Sequence, residues 1–238
     1  MKRNDPLADQ VLFENEDYII INKPPFVSTL QDRHEPANVL DLVREWESDA
    51  QVGHRLDKDT SGCLAIARHP EAYRHLSMQF EHRTVEKVYH AVCDGLHRFD
   101  QVVVQAPIEK LNDGTVKLSR EGKNAETSFS TLQVFKQHTL VECRPVTGRM
   151  HQIRIHLSYL GAPITGDDLY DGKPFYLSSV KRGFNLKKTD EEQPLMKRMA
   201  LHAHTIRFAG LKGEKIDISA PYPKDFAALL RQLGQNLR

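Results

Sequence analysis

His54-Arg55-Leu56-Asp57-Lys58-Asp59-Thr60-Ser61-Gly62 leads from a charged run into an apolar one, and the rest of the chain can be laid out from it. Residues 62–68, Gly-Cys-Leu-Ala-Ile-Ala-Arg, read as a buried strand. Thr60 and Ser61 suit the loop before it through side-chain-to-backbone hydrogen bonds, and Gly62 relaxes the backbone at the strand entrance. Downstream, Pro70 fits the first turn of a helix that turns Tyr73, Leu76 and Phe80 inward. Upstream, residues 11–14 and 17–22 form a strand pair around an acidic turn, stopped by Pro24-Pro25. Asn38 caps a helix in which Val39, Leu42, Val43 and Trp46 recur at i, i+3, i+4 and i+7. Further strands are expected at 85–94, 101–108, 115–119, 125–135, 139–146, 199–208 and 215–219. A helix is expected over about 150–159, ended by Gly161 and Pro163, and a closing helix over 223–235. Strands dominate without regular βαβ alternation, which gives an α+β class around a largely antiparallel sheet.

The 238 residues suffice for a full core, as one large domain or two closely packed halves. With 39% hydrophobic and 27% charged residues the chain is an ordinary globular one rather than a disordered one. No apolar run reaches the ~20 residues of a membrane span, and the basic start at residues 1–6 has no apolar stretch behind it to make a secretory signal. Cys63, Cys93 and Cys143 lack any CxxC spacing and read as apolar fillers in a reducing compartment, so the cytoplasm is the expected address. The net charge of +1 is unevenly spread: residues 5–50 hold eleven acids and three bases, residues 51–238 twenty-eight bases and twenty-one acids. That distribution fits either one basic groove beside an acidic face or scattered solvated charge. Residues 172–198 carry seven bases and three acids with few periodic apolar positions, and are expected to be a basic surface insertion, solvated or in contact with phosphate.

At HRLDKDTSG the sequence resembles the RluA-like family of bacterial RNA pseudouridine synthases, which carry HRLDxxTSG around a catalytic aspartate. So many fixed letters in one window arise by chance on the order of once in a hundred million. Glu86-Lys87-Val88-Tyr89 is similar to the family's Lys-x-Tyr strand. Residues 147–156, Thr-Gly-Arg-Met-His-Gln-Ile-Arg-Ile-His, are similar to its TGRxHQIRxH segment, followed by Gly161-x-Pro163-Ile164-x-Gly166-Asp167 and a weaker Leu201-His202-Ala203. The resemblance spans roughly residues 10–220 and implies a pseudouridine synthase catalytic fold over 1–238: a bipartite, mainly antiparallel mixed sheet flanked by helices, with an active cleft between the halves. It implies an enzyme that isomerises uridine in ribosomal RNA, transfer RNA or both, without metal or cofactor. A monomer is favoured.

The family's chemistry needs a carboxylate that attacks the nucleotide or stabilises its opened form, and a base for the carbon-5 proton. The resemblance assigns the first role to Asp57. A water-excluding pocket raises a carboxyl pKa by up to ~3–5 units and an arginine lowers it by ~1–3, so a buried nucleophile needs a cation; Arg154 matches the family's arginine. In a helix over 150–159, His151 lies about 60° from Arg154 and His156 about 200°, so His151 can face the same site and His156 cannot. Tyr89, on a strand face with Lys87 and Ala91, is expected to stack on the flipped uracil and to take part in proton removal. Arg55 is expected to fill the space that the base leaves, and Lys87 and Arg149 to meet phosphates. Leu201 packs on Tyr89, on the base or in the core. His54, Thr60, Ser61 and Gly62 hold the loop. Phe26 stands where the family commonly has glycine after the proline pair, which puts the shape of that loop in question. The first expected strand begins at Val11, leaving no room for a small N-terminal RNA-binding domain, so RNA selection falls to the catalytic domain.

Three other classes compete. Twelve histidines suggest a metal-dependent hydrolase, but His151 and His156 are five apart, and His202 with His204 gives only half a site. A catalytically inactive RNA-binding protein would not require Asp57, Tyr89 and Arg154 together. Asp57 and Asp59 as a glycosidase pair sit too close in one loop to straddle a sugar.

Overall fold

The computed structural model describes residues 7–31, 37–181, 184–185 and 191–236. In chain order the first elements are β1 (Val11–Glu14), β2 (Tyr18–Lys23), α1 (Val39–Arg44), β3 (Gln51–Val52), β4 (Ser61–Ala67), α2 (Pro70–Glu81) and β5 (Glu86–Asp94). There follow β6 (Val102–Gln105), β7 (Ile108–Lys110), β8 (Val116–Leu118), β9 (Glu126–Val134), β10 (His138–Pro145) and α3 (Gln152–Tyr159). The last are β11 (Leu201–Ala209), β12 (Lys215–Ser219) and α4 (Lys224–Gln235). The chain divides into two compact units, Met1–Tyr89 with His202–Pro221, and His90–Leu201 with Tyr222–Arg238.

The first unit is built on the period of two along β2 and β4. They pair antiparallel from Tyr18 opposite Ala67 to Lys23 opposite Gly62. Tyr18, Ile20, Cys63, Ala65 and Ala67 therefore share one face, which buries against Ala72 and Leu76 of α2. Ile19, Ile21, Leu64 and Ile66 share the other, against Val39 and Val43 of α1. Each such side chain taken fully from water stabilises by ~1.5–3 kcal/mol, and covering both faces makes β4 buried throughout. Both helices start on side-chain caps: Asn38 accepts from the Asp41 N–H, and His69 accepts from the Ala72 N–H ahead of Pro70.

β11 lies parallel to β4, with His202 opposite Ser61 and Ala203 opposite Gly62, and forms an antiparallel hairpin with β12. At that parallel contact a Cβ on Gly62 would stand 2.1 Å from the Ala203 carbonyl oxygen, and the glycine has φ +117, so no other residue fits.

In the second unit β10 pairs antiparallel with β9, and β9 with β6, while β7 and β8 form a separate hairpin. α3 buries Ile153 and Leu157 and ends in a Schellman turn: Gly161, at φ +71, donates to Ser158, and Ala162 donates to Leu157. α4 buries Phe226, Leu229 and Leu233 on one stripe. The mixed, mostly antiparallel sheet with few helices is the α+β class expected from the sequence. Among the described residues no helix is long and apolar enough to cross a membrane.

The expected basic insertion at 172–198 needs correcting at one position. Arg198 is buried and pairs through Nε and Nη2 with the Asp225 carboxylate at 2.7 and 3.0 Å, and donates from Nη1 to the Met199 and Leu201 carbonyls. It ties the entry of β11 to α4 and does not face phosphate; a guanidinium that leaves water must take such partners. Phe175 and Met196 are also buried, so the segment contributes to the core. Lys173, Lys181 and Lys197 are exposed, and Arg182, Lys187 and Lys188 lie outside the described residues.

Candidate active site

Asp57 sits half-buried in the turn that enters β4, and the backbone on both sides of it is fastened. The Thr60 N–H donates to the Asp57 carbonyl at 3.0 Å. On the near side, Thr29 Oγ1 accepts from the Leu56 N–H at 3.1 Å and donates to the Leu56 carbonyl at 2.9 Å. On the far side, the Lys58 carbonyl accepts from the Phe26 N–H at 3.0 Å and from Lys23 Nζ at 3.0 Å. Lys23 is fully buried, and its ammonium also donates to the Pro24 and Val27 carbonyls at 2.9 and 2.8 Å. Hydrogen bonds from a charged donor contribute ~1.5–3 kcal/mol each, so this buried cation clamps two loops to one point. Ser61 Oγ meets His202 Nδ1 at 3.0 Å, and His202 Nε2 meets the Ala220 carbonyl at 3.1 Å. Both ring nitrogens of His202 are thereby engaged, which counts against half a metal site at His202 and His204. Thr60, Ser61 and Gly62 are legible in the sequence, Lys23 and Thr29 are not, and His202 is visible there only within the Leu201-His202-Ala203 block and as half a metal site. The one signal for Lys23 is a lysine ending a strand that opens with the apolar run Tyr18–Ile21.

His54 packs its ring 4.9 Å from Phe80, and its Nε2 accepts the Ala65 N–H at 3.1 Å, so the ring proton belongs on Nδ1. Burial, aided by the charge of Lys87, pushes its pKa down from 6.5 to about 3. Between those two values the unfolded chain binds a proton that the folded chain refuses. Stability is full above pH 6.5 and falls as the pH drops. From pH 7 to pH 5 the loss from this one ring is at most about 2 kcal/mol, since part of the residue reaches solvent. His54→Gln retains an acceptor for Ala65 and removes that loss. Urea midpoints of both proteins at the two pH values measure it, and equal pH dependence would refute the assignment. Burial lowers His138 and His156 as well, in native and variant protein alike.

On β5, Lys87 and Tyr89 are half-buried while Val88 and His90 are buried, the alternation expected of a strand. Tyr89 packs against the cluster that includes Leu56, Leu64 and Ala203. Burial pushes Lys87 down to about 8, and its Nζ lies 6.0 Å from the Phe80 ring centroid. Arg55 is exposed. Asp57, Arg55, Lys87 and Tyr89 thus all belong to the first unit.

The second unit carries the residues of 147–156, and Gln152 organises them. Its Oε1 accepts from Thr147 Oγ1 at 2.7 Å and the Arg149 N–H at 2.9 Å; its Nε2 donates to the Glu126 carbonyl and Thr127 Oγ1, both at 2.9 Å. With the residue 4% exposed, Gln152→Ala strands several buried polar groups, and an expected loss of ~2–4 kcal/mol would be read from urea unfolding. A loss under ~1 kcal/mol would deny Gln152 this role. Arg149 is half-buried, with Nε donating to the Asn124 carbonyl at 3.1 Å.

The helical register expected for His151 does not hold. α3 begins at Gln152, and His151 caps it in the left-handed conformation, φ 52 and ψ 20, so the 3.6-residue period does not set its direction. Tyr170 connects His151 to Arg154 instead. Its hydroxyl meets His151 Nδ1 at 2.8 Å and accepts the Val116 N–H at 3.2 Å, while its ring centroid lies 4.9 Å from the Arg154 guanidinium carbon. His156 points elsewhere, to Thr127 Oγ1 and the Ala106 carbonyl.

Arg154 grips Asp167 through Nε to Oδ2 and Nη2 to Oδ1, both at 2.7 Å. The sequence reading treated Arg154 as a bare cation. A guanidinium sharing two N–H groups with a carboxylate forms a nearly neutral pair, so it acts on a third group mainly as a fixed hydrogen-bond donor. The only sequence signal for Asp167 is its place in the fixed-letter block Gly161-x-Pro163-Ile164-x-Gly166-Asp167. Leu201 is buried at the start of β11.

A family model described as RNA pseudouridylate synthase matches residues 17–159. The ribosomal large subunit pseudouridine synthase C of Pasteurella multocida is 37% identical over 237 residues, covering 96% of this chain and 69% of that protein. The protein of the same name from Vibrio vulnificus is 33% identical over 232 residues, covering 95% and 70%. The solved structure of Human RNA Pseudouridylate Synthase Domain Containing 4 matches with a TM-score of 0.75 over 96% of this chain and 94% of its own; at 23% identity it speaks for the fold.

Proposed function

Since this chain belongs to the RNA pseudouridylate synthase family, and so isomerises uridine in RNA, we propose that Asp57 is its nucleophile and that its target lies in large-subunit ribosomal RNA. The observation that carries the reading is the fastening of the Asp57 turn on both flanks, by Thr29 at Leu56 and by Lys23 at Lys58. A reacting carboxylate must be held to within ~0.5 Å, and this backbone is held before any substrate arrives.

The reaction breaks the bond from the ribose carbon to uracil nitrogen 1 and forms one from the same carbon to carbon 5. The proton on carbon 5 leaves, nitrogen 1 gains one, and no atom or electron is lost overall. No redox group is therefore required. Asp57 attacks the nucleotide or stabilises its opened form. Tyr89, whose ring already rests on an apolar cluster, stacks on the flipped uracil for ~1–3 kcal/mol and takes part in removing the carbon-5 proton. Exposed Arg55 enters the space that the base leaves. Arg154, oriented by Asp167, supplies a fixed hydrogen-bond donor to the reaction. Lys87, Arg149, His151 and the exposed lysines of 172–198 contribute RNA contacts, and Leu201 supports the site from the core. The protein acts as a monomer in the cytoplasm, where ribosomal RNA is made in a bacterium.

Mapping pseudouridine in RNA from cells with and without the protein tests this. Loss of specific sites in large-subunit ribosomal RNA is expected. Loss confined to transfer RNA would move the target, and no loss in any RNA would overturn the reading.

A further inference from the structure

Phe26 follows Pro24-Pro25 in a left-handed backbone conformation, φ 67, that L-residues other than asparagine and aspartate rarely adopt. The loop shape thus stays that of a glycine turn with a phenylalanine in it. The ring does not serve the core, because Phe26 is 50% exposed while its neighbour Val27 packs against an apolar cluster. For the fold alone glycine would supply the same turn without strain. Yet the turn is rigidly tied to the Asp57 loop, through the Phe26 N–H to the Lys58 carbonyl at 3.0 Å and through buried Lys23.

We propose that Phe26 is a substrate-contact residue whose ring stacks on an unpaired base of the RNA beside the target uridine. This deepens, and rests on, the assignment of Asp57 as the reacting group. Flipping a uridine out of its stack removes the stacking partner of the bases beside it. An aromatic side chain held at a fixed offset from the nucleophile offers such a base a partner, and the exposed cations Arg55 and Lys58 on the adjoining loop suit the phosphates around it.

The test compares native protein with Phe26→Gly, which relieves the backbone, Phe26→Leu, which retains bulk without a π-face, and Phe26→Trp. Each is assayed for binding and turnover on large-subunit ribosomal RNA transcribed in vitro. Phe26→Gly and Phe26→Leu are expected to raise Kd and KM by ~5–100-fold with kcat near native, and Phe26→Trp to retain native affinity. Turnover by native protein together with native affinity of Phe26→Gly overturns the role of Phe26 alone. Absence of pseudouridine with native protein on this RNA and on total cellular RNA overturns the assignment of Asp57 and, with it, this one.

Discussion

Asp57→Asn is expected to lower pseudouridine formation by ~10⁴-fold or more while leaving RNA affinity and the unfolding midpoint near native. Asparagine has the same shape, so the half-buried position is filled as before. The contacts that fasten the turn run through backbone atoms of Leu56, Asp57 and Lys58 and survive the change. What disappears is the charge that attacks the nucleotide or stabilises its opened form, and an amide is a poor nucleophile. Asp59→Asn, two residues along in the same loop, is the control and is expected to retain most activity. Single-turnover rates on ribosomal RNA, with filter binding beside them, measure both. Comparable losses in the two variants would point to a carboxylate pair and refute a lone nucleophile. Activity retained in Asp57→Asn would remove the aspartate mechanism altogether.

Much of this architecture is legible in the sequence because it is local. Residues 63–67 are apolar at every position, so their burial on both faces of β4 follows from composition and length, and Pro70 marks the start of α2 because only the first helical turn accepts it. Gly62 reads as a backbone requirement, though its reason, the Ala203 carbonyl of a parallel neighbour, lies 141 residues away. The supports of the candidate site are of that second kind. Thr29 reaches Leu56 across 27 residues and Lys23 reaches Lys58 across 35; neither pattern has a local period to betray it. His151 shows the opposite failure. Its spacing from Arg154 is helical, but α3 begins at Gln152 and the left-handed conformation of His151 breaks the period one residue too soon. Arg198 misled for a third reason: a charge in a basic run looks solvated until its partner, Asp225, arrives from α4.

Asp167→Asn is expected to cost ~3–5 kcal/mol of stability and to depress catalysis further than that loss explains. The Arg154 and Asp167 side chains are 9% and 2% exposed, so the guanidinium cannot exchange its carboxylate for water when one oxygen becomes an amide that also donates. The Asp167 carbonyl accepts from the Tyr170 and Gly172 N–H groups, contacts that asparagine retains, so Tyr170 stays beneath Arg154 and beside His151 and the loss falls on the ion pair. Orientation and stability can be separated by removing the pair together. Arg154→Met with Asp167→Leu replaces a buried ion pair by apolar volume, which is often neutral or stabilising by ~1–4 kcal/mol, and is expected to unfold near the native midpoint. If Arg154 supplies that fixed donor to the reaction, this well-folded double variant remains inactive, with kcat depressed at unchanged RNA affinity. Arg154→Lys completes the series: it retains the charge, loses the two-pronged grip, and is expected to fall between native and double variant in kcat. Near-native turnover in the double variant would reduce Arg154 and Asp167 to scaffolding.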